Sequence, residues 1–123
     1  MNQKKNTLER LSRIENQIQR DISEIIAFDI QNPIINIITI TEVKITLDYS
    51  YAKIFFTTFN KDISIKNILD NLSKAKNYIR FKLSKKLHIH TLPILNFFYD
   101  NSIENAMMIS KLIDGVLNKN TNN

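Results

Sequence analysis

The stretch ISIKNILDNLSKAKNYIRFKLSKKL, Ile63 to Leu87, decides the fold of this chain. Ile65, Ile68, Leu69 and Leu72 recur at helical spacing in its first half, and Ile79, Leu83 and Leu87 continue the pattern at i, i+4 and i+8. Between them lies the basic segment Ser73-Lys74-Ala75-Lys76-Asn77-Tyr78. Read as a junction, it separates two helices. Read by local propensity alone, with no Gly or Pro to interrupt it, residues 63–87 form one continuous helix. A junction would hinge on Asn77, because Asn enters the left-handed backbone region more readily than other residues with a side chain.

The same stretch carries the positive charge of the molecule. The chain has 17 Lys and Arg against 12 Asp and Glu, a net of +5. Lys74, Lys76, Arg80, Lys82, Lys85 and Lys86 all fall between Asp70 and Asp100, where no acidic residue intervenes, and His88 and His90 follow closely. Without those six cations the remainder would be slightly acidic, so the charge is local. A local field of one sign attracts a polyanion, most commonly a phosphate backbone. A solvated lysine-rich helix with no partner has the same composition.

Upstream, Leu8, Leu11, Ile14, Ile18, Ile22 and Ile25 recur at spacings of three and four, which predicts an amphipathic helix over residues 7–29 that ends before Pro33. Ile37 to Leu47 is rich in β-branched residues and alternates Val43, Ile45 and Leu47 with polar neighbours. Asp48-Tyr49-Ser50 then turns the chain into a second strand, Tyr51 to Phe59, giving an antiparallel hairpin. Asp62 is placed to cap the helical stretch. Downstream, Pro93 opens a third strand, Ile94 to Tyr99, and Asn101 with Glu104 reads as a capping box for a last helix, Ile103 to Leu117.

The predicted order is αββααβα, an α+β domain with a three-stranded sheet and helices packed on one face. Two helices over such a sheet with a basic junction is the plan of a KH domain, in which a tight turn presents amides and lysines to a nucleic-acid backbone. The usual G-x-x-G loop is missing, and Asn77 stands as its nearest substitute. One domain over residues 1–117 is expected, with a polar, disordered tail at 118–123. Buried sheet positions are expected at Val43, Ile45, Ile54, Phe56, Leu95 and Phe97, covered by Ile18, Ile22, Ile68, Leu72, Ile79 and Leu83.

Little in the sequence suggests catalysis. There is no cysteine, no Gly-rich phosphate loop and no closely spaced carboxylate pair. His88-x-His90 could offer two metal ligands, but zinc needs three or four and no acid or Cys lies nearby. The histidines read better as an extension of the basic patch when protonated. No catalytic residue, metal or cofactor is expected. Met1 to Arg10 has no apolar run, no stretch approaches a membrane span, and the lack of cysteine suits a cytoplasmic protein.

The run Leu92-Pro93-Ile94-Leu95-Asn96-Phe97-Phe98-Tyr99-Asp100-Asn101-Ser102, followed by Met107, Ser110, Leu112 and Ile113, resembles the bacterial ribosome-binding factor A family, whose P-x-L-x-F-x-Y-D-x-S run leads into its last helix. Asp48 with Ala52-Lys53-Ile54 is similar to that family's D-x-x-x-A-K-V segment, and Asn32-Pro33 stands where D-P is common. The resemblance runs from about Arg13 to Val116. It implies a type II KH-like fold in which an A-x-G kink between the two middle helices replaces G-x-x-G. Ala75-Lys76-Asn77 falls on that kink but lacks its glycine.

The resemblance also implies a function: a late assembly factor that binds the free 30S subunit through 16S rRNA and aids rRNA 5′-end processing. Such factors matter most in the cold and are released by a GTPase assembly factor. The RNA-binding residues implied by charge and family together are Lys74, Lys76, Asn77, Arg80, Lys82, Lys85 and Lys86. A cytoplasmic monomer without enzymatic activity, membrane contact or cofactor is expected. Two rivals remain open on the residues alone: a general single-stranded RNA-binding KH module, and a protein-interaction module whose lysines meet an acidic partner.

Overall fold

The computed structural model describes residues 2–87, 89 and 91–121. Helix α1 (Asn2–Glu24) passes into a π-helical turn (Ile25–Asp29); strands β1 (Ile38–Ile45) and β2 (Tyr51–Thr58) follow, then helix α2 (Ile65–Lys86), strand β3 (Ile94–Tyr99) and helix α3 (Ser102–Thr121). The fold is α+β and KH-like: three strands in the order β1-β2-β3, with α1 and α2 packed on one face. β1 and β2 are antiparallel, pairing Ile45 with Ala52 and Val43 with Ile54, and the register shifts between Ile40 and Glu42. β3 runs parallel to β2, with Ile54 opposite Phe97. A parallel neighbour needs a long crossover, and α2 is that crossover.

The stretch from Ile63 to Leu87 contains one helix, not two. α2 is uninterrupted from Ile65 to Lys86, and among the described non-glycine residues only Tyr49, in the β1–β2 turn, has positive φ, at 62°. The expected kink at Ala75-Lys76-Asn77 is therefore absent, and the order is αββαβα. The buried stripe explains why. Ile68, Leu72, Ile79 and Leu83 have no exposed surface, and Ala75 packs partly against the same core. These positions advance by three or four residues throughout, so one straight helix keeps them all in phase. A left-handed Asn77 would cost roughly 1–2 kcal/mol and break that phase, whereas a helical Asn costs only about half a kcal/mol relative to Ala.

The caps also differ from expectation. Ser64, not Asp62, caps α2, its hydroxyl accepting from the Asn67 amide at 3.1 Å. Glu104 does not close a capping box with Asn101; it accepts from the Tyr99 hydroxyl and the Lys61 ammonium. Asp100 takes over the start of α3, accepting from the Ser102 amide at 2.9 Å and from the Thr41 hydroxyl, on the bulged part of β1, at 2.7 Å. α3 continues to Thr121 rather than ending at Leu117.

The core lies between the sheet and the two packed helices. Ile18, Ile22 and Ile25 of the first helical segment meet Ala52, Ile54 and Phe56 of the central strand and Leu95 of β3, all fully buried. Each of the Ile, Leu and Phe side chains among them contributes roughly 1.5–3 kcal/mol by leaving water. Of the expected core, all but the partly exposed Phe97 are buried. The outer edge of β1 is covered by α1: Glu15 accepts from the Ile45 amide at 2.7 Å, and Gln19 donates to the carbonyls of Ile40 and Thr41 at 3.2 Å each. Pairing these groups blocks the edge from recruiting another strand.

Candidate nucleic-acid interface

With one face of α2 committed to the core, the opposite face is set by periodicity. At about 3.6 residues per turn, Lys74, Tyr78, Phe81, Lys82 and Lys85 share one outward arc. Lys74 and Lys85 are exposed, and Lys82 is half-buried. Tyr78 is 44% and Phe81 56% exposed. The Lys82 ammonium sits 5.7 Å from the centroid of the Tyr78 ring, and the Lys85 ammonium 4.9 Å from that of Phe81. Lysine stems thus lie along the rings while their charges stay in water. Among the described residues no carboxylate pairs with these three lysines.

The other expected site residues are divided from this arc. Arg80 is half-buried and its guanidinium donates to the carbonyls of Leu92, at 2.9 Å, and Pro93, at 3.2 Å. It ties the approach to β3 onto the crossover helix, which commits Nε and one Nη to holding the fold. Lys86 pairs with Glu24 at 2.8 Å. That hydrogen bond, the largest influence on both groups, holds the Glu24 carboxyl below its ordinary range and raises the Lys86 ammonium above its own. Lys76 is half-buried and lies two residues from Lys74, hence on a different side of the helix. Asn77 is exposed at the margin of the arc, in helical conformation. His88 and His90 lie outside the described residues.

Sequence reasoning missed Tyr78 and Phe81 as members of the surface, although the signal was there. The series 74, 78, 81, 85 has the helical spacing i, i+4, i+7, i+11, and the rings occupy its centre. A neighbouring ring, Phe28 on the π-helical turn, is 82% exposed, and the carbonyl of the adjoining Asp29 accepts from the Tyr78 hydroxyl at 3.4 Å. The end of the first helical segment therefore flanks the arc.

Fold and surface define the class: a KH-like α+β domain whose crossover helix carries the positive charge and two bare rings. A family model described as ribosome-binding factor A matches residues 10–113. The ribosome-binding factor A of Aromatoleum aromaticum is 40% identical over 108 residues, covering 88% of this chain and 85% of that protein. The crystal structure of ribosome-binding factor A from Thermus thermophilus superposes with a TM-score of 0.68 at 22% identity, covering 75% of this chain and 97% of that one. A homology model of the Thermus factor, fitted into a cryo-EM map of its complex with the 30S subunit, gives 0.61 at 22% identity, over 72% and 93% of the two chains. The chain belongs to the ribosome-binding factor A family. The family match spans nearly the segment over which the motif run, the D-x-x-x-A-K segment and Asn32-Pro33 suggested it.

Proposed function

We propose that this protein binds the free small ribosomal subunit through 16S rRNA and assists its late maturation, including processing of the rRNA 5′ end. Membership of the ribosome-binding factor A family supports the reading, and the observation that carries it to particular residues is the arc of Lys74, Lys82 and Lys85, which no carboxylate neutralises among the described residues. Lysines without a carboxylate partner release condensed counterions when they meet phosphate, the usual source of affinity for RNA. Asn77, at the margin of the arc, and Lys76, Arg80 and Lys86, divided from it, take a secondary part, since Arg80 and Lys86 already hold parts of the fold together.

In this reading the working unit is one domain over residues 1–117, acting as a cytoplasmic monomer without catalysis or a cofactor. A GTPase assembly factor releases it from the subunit, and its contribution is greatest in the cold. Among the described residues no helix is long and apolar enough to cross a membrane. Sucrose-gradient fractionation of a lysate tests the reading. The protein should travel with free small subunits and be absent from complete ribosomes; recovery only at the top of the gradient, or equally with complete ribosomes, overturns it.

A further inference from the structure

We infer that Tyr78 and Phe81 are base-stacking residues, and that the face of α2 takes an unpaired RNA segment rather than a duplex. The inference rests on the small-subunit reading above and adds what kind of RNA the face receives. Its ground is the coincidence of two bare rings with three unneutralised lysines on one helical arc. Neither ring joins the core, yet each has a lysine ammonium over it, Lys82 at 5.7 Å and Lys85 at 4.9 Å. A ring with a cation on one side keeps its other side for a flat, electron-rich partner, and the same ammonium can reach the phosphate of that nucleotide.

Spacing distinguishes the strand. Side chains three apart on a helix stand about 5–6 Å apart at Cβ. Successive bases in a stacked duplex strand are about 3.4 Å apart, too close for each to take its own ring. Two bases can lie on Tyr78 and Phe81 only if they have been drawn out of helical stacking, as in a loop, bulge or chain end. The deep, narrow major groove of paired RNA is closed to side chains in any case. Charge complementarity favours RNA over an apolar protein segment as the occupant, because Lys74, Lys82 and Lys85 would all be desolvated without partners under such a segment. Asp70 stands one turn before Lys74, the Asp29 backbone carbonyl meets the Tyr78 hydroxyl, and Glu24 is held by Lys86; among the described residues none of these carboxylates pairs with the three lysines.

The test measures binding of the full chain to an unpaired ribo-oligonucleotide of 12 residues, to a hairpin duplex of the same length, and to purified small subunits, each across a salt series. The unpaired strand should bind more tightly than the duplex. Phe81→Leu and Tyr78→Ala should each weaken the unpaired strand about tenfold, the scale of one base–ring stack, without changing the slope of log affinity against log salt. Tyr78→Phe, which keeps the ring, should bind as the parent does. Lys74→Gln should instead lower the slope by about 0.7. Ring variants that bind the unpaired strand like the parent, or a parent that prefers the duplex, overturn the inference while leaving the small-subunit reading intact if the lysine variants still lose small subunits. Loss of small-subunit binding in neither class overturns both. Phe81→Leu variants that lose small subunits but bind the oligonucleotide normally identify a protein contact and overturn the stacking role.

Discussion

Helices α2 and α3 are of similar length, 22 and 20 residues, yet they stand in opposite relations to the rest of the molecule. α2 buries Ile68, Leu72, Ile79 and Leu83 completely and turns its lysines outward. α3 buries none of its described side chains: Ile103 is 43%, Met107 59% and Leu112 65% exposed. The difference follows from pattern. The apolar residues of α2 form a single stripe, which a sheet can cover. Those of α3, including Met108, Ile109 and Ile113, are distributed around the cylinder, so no single neighbour could cover them all. α3 is held at its base instead, through Asp100 and through Glu104 with Tyr99 and Lys61. One helix is placed by packing, the other by the hydrogen bonds at its start.

The largest expected effect sets these two modes against each other. Ile79→Ala should destabilise the fold by about 2–5 kcal/mol, because it leaves a cavity at a fully buried position of the core. Leu112→Ala should change stability by no more than about 0.5 kcal/mol, as exposed substitutions do. Chemical denaturation of both variants checks this. A comparable loss for Leu112→Ala would mean that α3 packs on the domain in solution, and the contrast would fail.

The outer faces can be compared in the same way. Lys74→Glu with Lys82→Glu reverses two charges within the arc, while Lys44→Glu with Lys111→Glu changes net charge equally at exposed sites on β1 and α3. The first pair should abolish small-subunit association at moderate salt and the second should bind far better. Pelleting with purified subunits measures both. Equal loss would make the effect one of bulk charge.

Much of this arrangement was legible in the sequence, and the failures share a cause. β3 occupies the six residues expected, because Pro93 marks its start and a motif run fixes its phase. The first helical segment ends at Asp29 as the periodicity and Pro33 required. The outward lysines of α2 were legible as a cluster but not as a surface. Charge alone groups Arg80 and Lys86 with the RNA-binding lysines, because their structural partners, the carbonyls of Leu92 and Pro93 and the carboxylate of Glu24, become neighbours only through the fold. The kink rests on Asn77's tolerance of the left-handed region and on a KH and family pattern laid over Ala75-Lys76-Asn77, against local propensity that contains nothing to break a helix. There the local rule won.

A smaller effect concerns the base of α3. The Asp100 carboxyl is held below its ordinary range, first by the Thr41 hydroxyl and then by Ser102. Asp100→Ala should therefore cost about 1 kcal/mol at neutral pH, the scale of a lost helix cap. The sign of its pH dependence follows from linkage: as pH falls, the unfolded chain takes up this proton first, near the ordinary Asp value of about 3.9. The contribution is fully present above that value and is lost as pH drops through the lower value of the folded state. The gap in stability between parent and variant should thus close in acid; a constant gap from pH 7 to pH 2 would show that the carboxylate charge plays no part in holding α3.

The smallest expected effect has the sharpest sign. Asn77 is exposed and helical in the middle of α2. At such a site Ala is the better helix former, so Asn77→Ala should stabilise by about 0.5 kcal/mol. Asn77→Gly should destabilise by a few tenths of a kcal/mol, since Gly has more conformational freedom to lose. A kinked helix predicts the reverse order: with residue 77 left-handed, Gly would be tolerated or stabilising and Ala would lose roughly 1 kcal/mol. The two variants therefore rank oppositely under the two structures, and the ranking survives any common error in the denaturation baseline. Gly above Ala would restore the junction, divide α2 at Ala75-Lys76-Asn77, and swing Tyr78, Phe81, Lys82 and Lys85 away from Lys74. The single arc on which the proposed interface depends requires Ala above Gly.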